Sequence, residues 1–247
     1  MREVSCWDGL CVGISGTTLK WLALVSMTID HIGVFFFPGC MELRMIGRAA
    51  YPIFAYMIAE GCAHTRRKQR YFLSVLGVGL LCSVVSYIAD GNLYQSIFIT
   101  FACSIALIFG LSYVTQYRQV RRSACLAMFG TAGGLVFLYV LCHASFVPGF
   151  AIDYGFCGAV TPVMIWLGTT RTQKLAVLTF GLCCISLELG GVQAFSLAAL
   201  PLLMLYNGRR GTNGGKYIFY LVLSGSLSHF VRHCPKASAM IPGLAVV

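Results

Sequence analysis

Long uncharged apolar runs, parted by short basic clusters, constrain this chain more than any other feature. They fall at about 20–37, 45–62, 71–89, 96–116, 124–147, 155–169, 175–189, 192–206 and 217–231. A helix crosses the hydrocarbon core of a bilayer in roughly 20 apolar residues, and the first five runs come close to that. The three between 155 and 206 are shorter, which leaves them less tilted, broken or differently bounded. The runs are rich in Leu, Ile, Phe and Ala with no alternation of polar residues, so they read as helices rather than as strands of a barrel. Only 11% of the 247 residues are charged, too few for the surface of an ordinary soluble domain, which carries roughly 25%. The expected fold is all-α, a polytopic transmembrane helical bundle of about 8–10 helices. It forms a single integral membrane domain over 1–247, with 1–16 a short cytoplasmic amino-terminal segment.

The formal charge of +10 could suggest nucleic acid, but the basic residues form no stripe on any one face. They sit between runs. The segments His64–Arg70, Tyr117–Arg122, Arg171–Lys174 and Asn207–Lys216 follow the second, fourth, sixth and eighth runs and hold twelve Lys and Arg. The alternate loops hold one, Arg44. Cytoplasmic loops of membrane proteins collect Lys and Arg, so the amino terminus and the basic loops are expected inside and the turn between the first two runs outside. This makes the chain a multi-pass membrane protein, with membrane lipid as its surroundings and no nucleic-acid partner. The tail Arg232-His233-Cys234-Pro235-Lys236 breaks the alternation. Residues 1–16 carry Glu3 and Asp8 and lead into a long first run without a small-residue cleavage site, so no signal peptide is expected and the first run should be retained.

The twelve Cys are spread through the runs with no C-x-x-C pair, the usage of small buried hydrophobes rather than of a disulfide framework or zinc site. No metal is expected. His229 and His233 share a helical face beside Cys234, but no further ligand completes a site. Gly130 and Gly134, four apart, are expected to let two helices approach closely.

Ionisable groups inside a membrane are costly and are the first candidates for function. They crowd into the first helical hairpin. The first run reads Lys20-Trp21-Leu22 through Met27-Thr28-Ile29-Asp30-His31, and the second Leu43-Arg44-Met45-Ile46-Gly47-Arg48-Ala49-Ala50-Tyr51-Pro52, closing at Glu60-Gly61. On a helix, Lys20 and His31 differ by only about 20° in azimuth and are separated by roughly 16 Å, so both can line one groove. Arg44 and Arg48, one turn apart, fall at about the depth of Asp30 and His31. Asp30 can pair with a guanidinium or orient the imidazole, and Pro52 can kink the second helix and free a carbonyl. A buried ion pair that merely fixes the hairpin is the simpler reading. The imidazole favours chemistry, because it accepts and returns a proton near neutral pH.

The stretch Gly16–Lys20, Met27-Thr28-Ile29-Asp30-His31-Ile32-Gly33, Arg44-Met45-Ile46-Gly47-Arg48, Pro52-Ile53-Phe54-Ala55 and Glu60-Gly61 resembles the TraX family. Asp153-Tyr154-Gly155, Leu205-Tyr206-Asn207-Gly208 and Lys216–Tyr220 extend the resemblance over most of the chain. TraX proteins take their name from a conjugative-pilus system whose founding member is assigned amino-terminal acetylation of pilin. The family is also similar to the type 3 membrane acyltransferases, whose signature of a basic residue, ten residues and a His is matched by Lys20 and His31. In the family the last helix has a Pro and a His soon after its Phe-Tyr pair. Here Tyr220 leads instead to His229.

The resemblance implies an acyltransferase with acetyl-CoA or a related acyl-CoA as donor. His31 would be general base or acyl carrier, and Asp30 or Arg48 would orient it and stabilise charge on the thioester oxygen. Lys20, Arg44, Arg66 and Arg67 would hold the CoA moiety. The acceptor would be a pilin, another surface protein terminus or a glycan. Two further readings stand beside it: a non-catalytic assembly factor for a pilus or surface polymer, and a small transporter gated by Asp30 and Arg48. The transporter would favour internal repeats, and no second copy of the hairpin is seen.

Overall fold

The computed structural model describes residues 13–37, 39–90, 94–116, 121–143 and 151–211. Its helices are α1 (Gly16–Phe36), α2 (Met41–Gly47), α3 (Ala50–His64), α4 (Lys68–Asp90), α5 (Ile97–Gln116), α6 (Arg121–His143), α7 (Gly155–Leu167) and α8 (Arg171–Leu189). A 3-10 helix, Gly191–Ala199, then leads into a short α9 (Leu200–Met204). The fold is all-α. Two short parallel strands, β1 (Tyr94–Gln95) and β2 (Ala151–Ile152), join the loops before α5 and α7.

Among the described residues, three helices are long and apolar enough to cross a membrane by length and composition: α4 over Lys68–Val85, α5 over Ile97–Thr115 and α8 over Arg171–Leu189. Their outward faces fit that role. Leu73, Leu80, Val84 and Ile88 of α4, and Phe180 and Leu187 of α8, are exposed, as are Phe129, Val136 and Phe137 of α6. The centre is equally apolar. Helix α3 has ten of its residues buried and packs against α1, α5, α7 and α8. Around it Tyr51, Ile53, Phe101, Ile105, Ile165, Leu178, Leu182 and Leu203 form one core.

Two expected spans are not single helices, each for a backbone reason. The run 45–62 is not one helix; its ladder breaks between α2 and α3, at Arg48–Ala49. Pro52 has no N–H for the carbonyl of Arg48 and its ring crowds that carbonyl, so the break falls one turn before it. Ser26 of α1 donates to the carbonyls of Ile46 at 2.6 Å and Gly47 at 3.3 Å, so the end of α2 is tied to α1. The run 192–206 is the 3-10 helix followed by α9, broken where Pro201 enters. Helix α8 begins at Arg171, capped by the reciprocal pair Thr170 and Gln173, and is four residues longer than the expected 175–189. The run 217–231, the pair His229 and His233 and the tail lie outside the described residues.

Helix α7 carries Pro162 within it, which removes the N–H that would bond the carbonyl of Gly158. The Tyr51 hydroxyl donates to that carbonyl at 2.9 Å. A freed backbone group in an apolar core is thus satisfied from α3, as a membrane interior requires. The expected role of Gly130 is not observed: a methyl added there would meet nothing within 4 Å, and one at Gly134 only Leu107 at 3.5 Å. The close approach of α5 and α6 is instead at Gly110, where a Cβ would stand 2.3 Å from Thr131. All nine described cysteines are free thiols, and no group of metal-ligating side chains occurs among the described residues.

Candidate active site in the first helical hairpin

Helix α1 starts cleanly because the Ser15 side chain accepts from the Thr18 N–H, which satisfies one of its unpaired donors. It runs unbroken past Asp30 and His31, so the separation of roughly 16 Å between Lys20 and His31 is that of a continuous helix. Two glycines bring α2 against it. A Cβ at Gly33 would stand 2.7 Å from Leu43, and one at Gly47 would stand 2.2 Å from the Asp30 Cβ. No other side chain fits at Gly47. Asp30 therefore lies on the backbone of α2, directly beside the break that presents Arg48.

The Arg48 Nη2 is 3.8 Å from the Asp30 Oδ1, with both side chains largely covered. That is an ion pair but longer than a hydrogen bond. Asp30 Oδ1, Arg48 Nε and Arg44 Nε are buried without hydrogen-bond partners among the described residues, as is Gln193 Oε1. Such groups ordinarily find partners. The hairpin therefore holds a loosely closed pair with two guanidinium donors and a carboxylate acceptor in reserve.

His31 is exposed on α1, about 100° around the helix from Asp30. Its Nδ1 lies 2.7 Å from the Met27 carbonyl. A carbonyl only accepts, so the neutral ring carries its proton on Nδ1 and its basic lone pair on Nε2. The group that orients Nδ1 is the Met27 carbonyl, whereas Asp30 is committed to Arg48.

Sequence reasoning did not connect Arg48 with the turn before α7. The Arg48 guanidinium stands in the electrostatic field of Tyr154 and of Asp153. Tyr154 has φ 60° and ψ 6°, and is the one non-glycine residue with positive φ among those described. For a tyrosine this conformation costs roughly 1–2 kcal/mol. The turn is held by several bonds: Asp153 N–H donates to Gln95 O at 3.1 Å, and the Thr100 hydroxyl donates to Asp153 O at 2.6 Å. The Tyr154 ring stacks on Tyr51 with centroids 4.1 Å apart, and Tyr51 in turn lies parallel to Phe101. The only sequence signal was the triplet Asp153-Tyr154-Gly155 itself.

The opposite end gathers the basic loops. Lys174 Nζ is 2.5 Å from Glu60 Oε1, a pair spanning α3 and α8 that no spacing rule reveals. Lys68 donates to the Ser112 hydroxyl at 2.7 Å, and Arg171 donates to the carbonyls of Leu203 and Met204. The segment after α9 folds back on the start of α1: Gly16 N–H donates to Arg209 O at 2.9 Å, and the Thr17 hydroxyl to Arg210 O at 2.8 Å. The half-buried Lys20 ammonium stands in the field of the Arg210 guanidinium. Arg66 and Arg67 are exposed in the turn between α3 and α4. Arg210, from the segment after α9, is thus a basic neighbour of Lys20.

Apolar helices around a partly unsatisfied ionic cluster define a helical protein of membrane type with a polar site in its first hairpin. The family pattern described as TraX protein matches residues 15–231, and the chain belongs to the TraX family. It is 27% identical over 166 residues to an uncharacterized protein of Rickettsia prowazekii, covering 67% of this chain and 58% of that one. It is 30% identical over 74 residues to a probable fimbrial assembly protein of Dichelobacter nodosus, covering 28% of this chain and 30% of that one. The chain thus spans less than two thirds of the length of either relative. No solved structure matches.

Proposed function

We propose that this protein is a multi-pass acyltransferase of the bacterial inner membrane that moves an acyl group, acetyl first among them, from CoA to a surface acceptor. The observation that carries the reading is the grouping of an oriented imidazole, His31, with a loosely paired Asp30 and Arg48 whose bonding capacity is unspent. The donor's phosphates would lie at the basic end, near Lys20 and Arg210, with Arg66 and Arg67 raising the local concentration of the anion. Its pantetheine arm would follow α1 over the roughly 16 Å to His31.

In this scheme His31 Nε2 takes the proton of an acceptor amine or hydroxyl as that atom bonds to the thioester carbonyl carbon. The carbon–sulfur bond breaks, and the CoA thiolate leaves and recovers the proton from the imidazolium. The guanidinium groups of Arg48 and Arg44 supply N–H donors for the oxygen that becomes negative in between. Asp30 keeps Arg48 from moving away and offers an acceptor to the attacking group. A pilin terminus, another surface protein or a glycan would each provide such a nucleophile.

The test uses purified protein in nanodiscs with radiolabelled acetyl-CoA and a cell-surface extract as acceptor. Wild type is expected to bind acetyl-CoA and label a component of the extract. His31→Ala should bind as well as wild type and lose labelling by at least 100-fold, and Lys20→Ala should weaken binding. Equal labelling by His31→Ala would sink the proposal. A second reading, a non-catalytic factor in pilus or fimbria assembly, draws on the similarity to the fimbrial assembly protein. It gains if the wild type binds no acetyl-CoA while its loss abolishes surface fibres.

A further inference from the structure

We infer that Gln193 contacts the acceptor substrate, its side-chain oxygen taking a hydrogen bond from the acceptor beside Arg44. The inference rests on the acyl-transfer reading for the identity of the ligand; the placement of Gln193 follows from packing.

Among the described residues four side-chain atoms are buried without a hydrogen-bond partner. Three belong to the first hairpin, and the fourth is Gln193 Oε1. In a 3-10 helix about three residues complete a turn, so Gln193, Ser196 and Ala199 share one face of the helix Gly191–Ala199. Ser196 and Ala199 are 2% and 0% exposed, which makes that face the inward one. The backbone there is already paired: Gln193 N–H donates to Gly190 O at 3.1 Å, and the Ser196 hydroxyl donates to Gln193 O at 2.6 Å. The side-chain oxygen is left over.

Chain direction sets what Gln193 meets. Lys174, near the start of α8, pairs with Glu60 near the end of α3, so α8 runs from there back toward the break between α2 and α3. The 3-10 helix then returns, since Arg171 holds the carbonyls of Leu203 and Met204 beyond it. It packs on α8, α3 and α2, and Gln193, in its first turn, lies at the α2 end. Helix α2 turns Leu43 and Gly47 to α1 and leaves Glu42 and Ile46 exposed. Arg44 is about 100° around from Leu43, away from the exposed pair, and Arg48 follows one turn on. The 3-10 helix therefore meets α2 on the side of the two arginines, whose Nε atoms are buried donors without an acceptor.

A buried acceptor and two buried donors in one interface, none bonded to another, complement a neutral group that gives one hydrogen and takes one. Leaving them unpaired destabilises the empty site, and a bound group of that kind removes the penalty. The proposed path of the acyl-CoA arm follows α1, and Gln193 lies across α2 from it. The group that reaches Gln193 thus belongs to the acceptor.

The experiment uses the full chain with Gln193→Met, Gln193→Glu, Arg44→Met and the variant combining the last two. Met keeps the side-chain length and removes the unpaired oxygen, so thermal unfolding in detergent should give Gln193→Met a Tm equal to or above that of wild type. Glu sets a carboxylate opposite Arg44, so Gln193→Glu should lower Tm further in the Arg44→Met background than in wild type. Arg44→Gln replaces Arg44→Met should that variant fail to fold. In acetyl transfer, the amount of cell-surface extract giving half-maximal labelling should rise at least tenfold in Gln193→Met, with KM for acetyl-CoA within twofold. A Tm lowered by Gln193→Met, or equal effects of Gln193→Glu in both backgrounds, would overturn the placement. A raised KM for acetyl-CoA with an unchanged extract requirement would overturn the assignment to the acceptor, as would unchanged transfer. A wild type that transfers no acetyl group refutes the proposed reaction instead, and the unfolding comparisons then decide whether Gln193 faces Arg44 with its oxygen unpaired.

Discussion

Gly47 touches Asp30: the Cβ of any larger residue at Gly47 would fall 2.2 Å from the Asp30 Cβ and 2.6 Å from its Oδ1. One missing methyl group is therefore what lets a carboxylate of α1 lie against the backbone of α2 beside Arg48. Gly47→Ala must push the two helices apart or turn Asp30 off its rotamer, at a cost of about 1–3 kcal/mol. Its Tm should fall by several degrees and its activity should drop with it. Gly130→Ala is the matched control, since it faces open space in a helix, and should be neutral or slightly stabilising. Thermal unfolding of the two variants side by side checks the contrast, and equal Tm values would contradict the packing described.

The second relationship concerns α7. Pro162 leaves the Gly158 carbonyl without its helical donor, and the Tyr51 hydroxyl replaces it. Tyr51→Phe should cost about 1–3 kcal/mol by orphaning a buried carbonyl. In a Pro162→Ala background the helix can supply its own N–H, so the same Tyr51→Phe change should cost clearly less. Unfolding midpoints of the four proteins measure this. An equal loss in both backgrounds would mean that the hydroxyl serves some other partner.

The helical class and the concentration of ionisable groups in the first hairpin were legible because both rest on local pattern. Apolar runs are periodic in the sequence, and Asp30, His31, Arg44 and Arg48 stand out against them. Helix interruptions were half legible: Pro52 marked a kink, but the 3-10 geometry of Gly191–Ala199 depends on what α3 and α8 leave room for. The partners of the charges were the least readable. Arg48 stands in the field of Tyr154 across more than a hundred positions and Glu60 meets Lys174 at a separation of 114, distances over which no spacing rule operates. The glycine pair Gly130 and Gly134 shows the converse: the spacing was right for close packing, but Gly130 faces open space and Gly134 only reaches ordinary contact with Leu107, while the tight approach is at Gly110 opposite Thr131.

The Asp30 and Arg48 pair should behave as two charges that each need the other. Asp30→Asn leaves the Arg48 guanidinium with only the weaker field of Asp153 as counter-charge, and removing one partner of a covered pair is worse than removing both. Both groups retain some exposure, so the loss should stay at about 1–2 kcal/mol rather than the larger figure of a sealed core. Asp30→Asn with Arg48→Met should recover part of it, while the proposed acyl transfer should be lost in both. Chemical or thermal unfolding with the transfer assay in parallel separates the two effects, and a double variant less stable than Asp30→Asn would reject this account.

Cys40 gives a test of topology and of local electrostatics together. It caps the start of α2, in the turn expected to face outward, and its thiol donates to Glu42 Oε2 at 3.1 Å. That hydrogen bond holds the proton on sulfur and raises the thiol pKa above its ordinary value, while the same contact and the Glu42 backbone N–H lower that of the carboxyl. Maleimides react with the thiolate, so raising the pKa lowers the reactive fraction at a fixed pH below it. In a background where the other cysteines are replaced, Cys40 should be labelled on intact spheroplasts by a membrane-impermeant maleimide, slowly near pH 7.5 and faster as pH rises. Glu42→Ala removes the acceptor and should move the rate profile to lower pH. Labelling only after the membrane is opened would invert the topology, and a profile unmoved by Glu42→Ala would remove the hydrogen bond from the account.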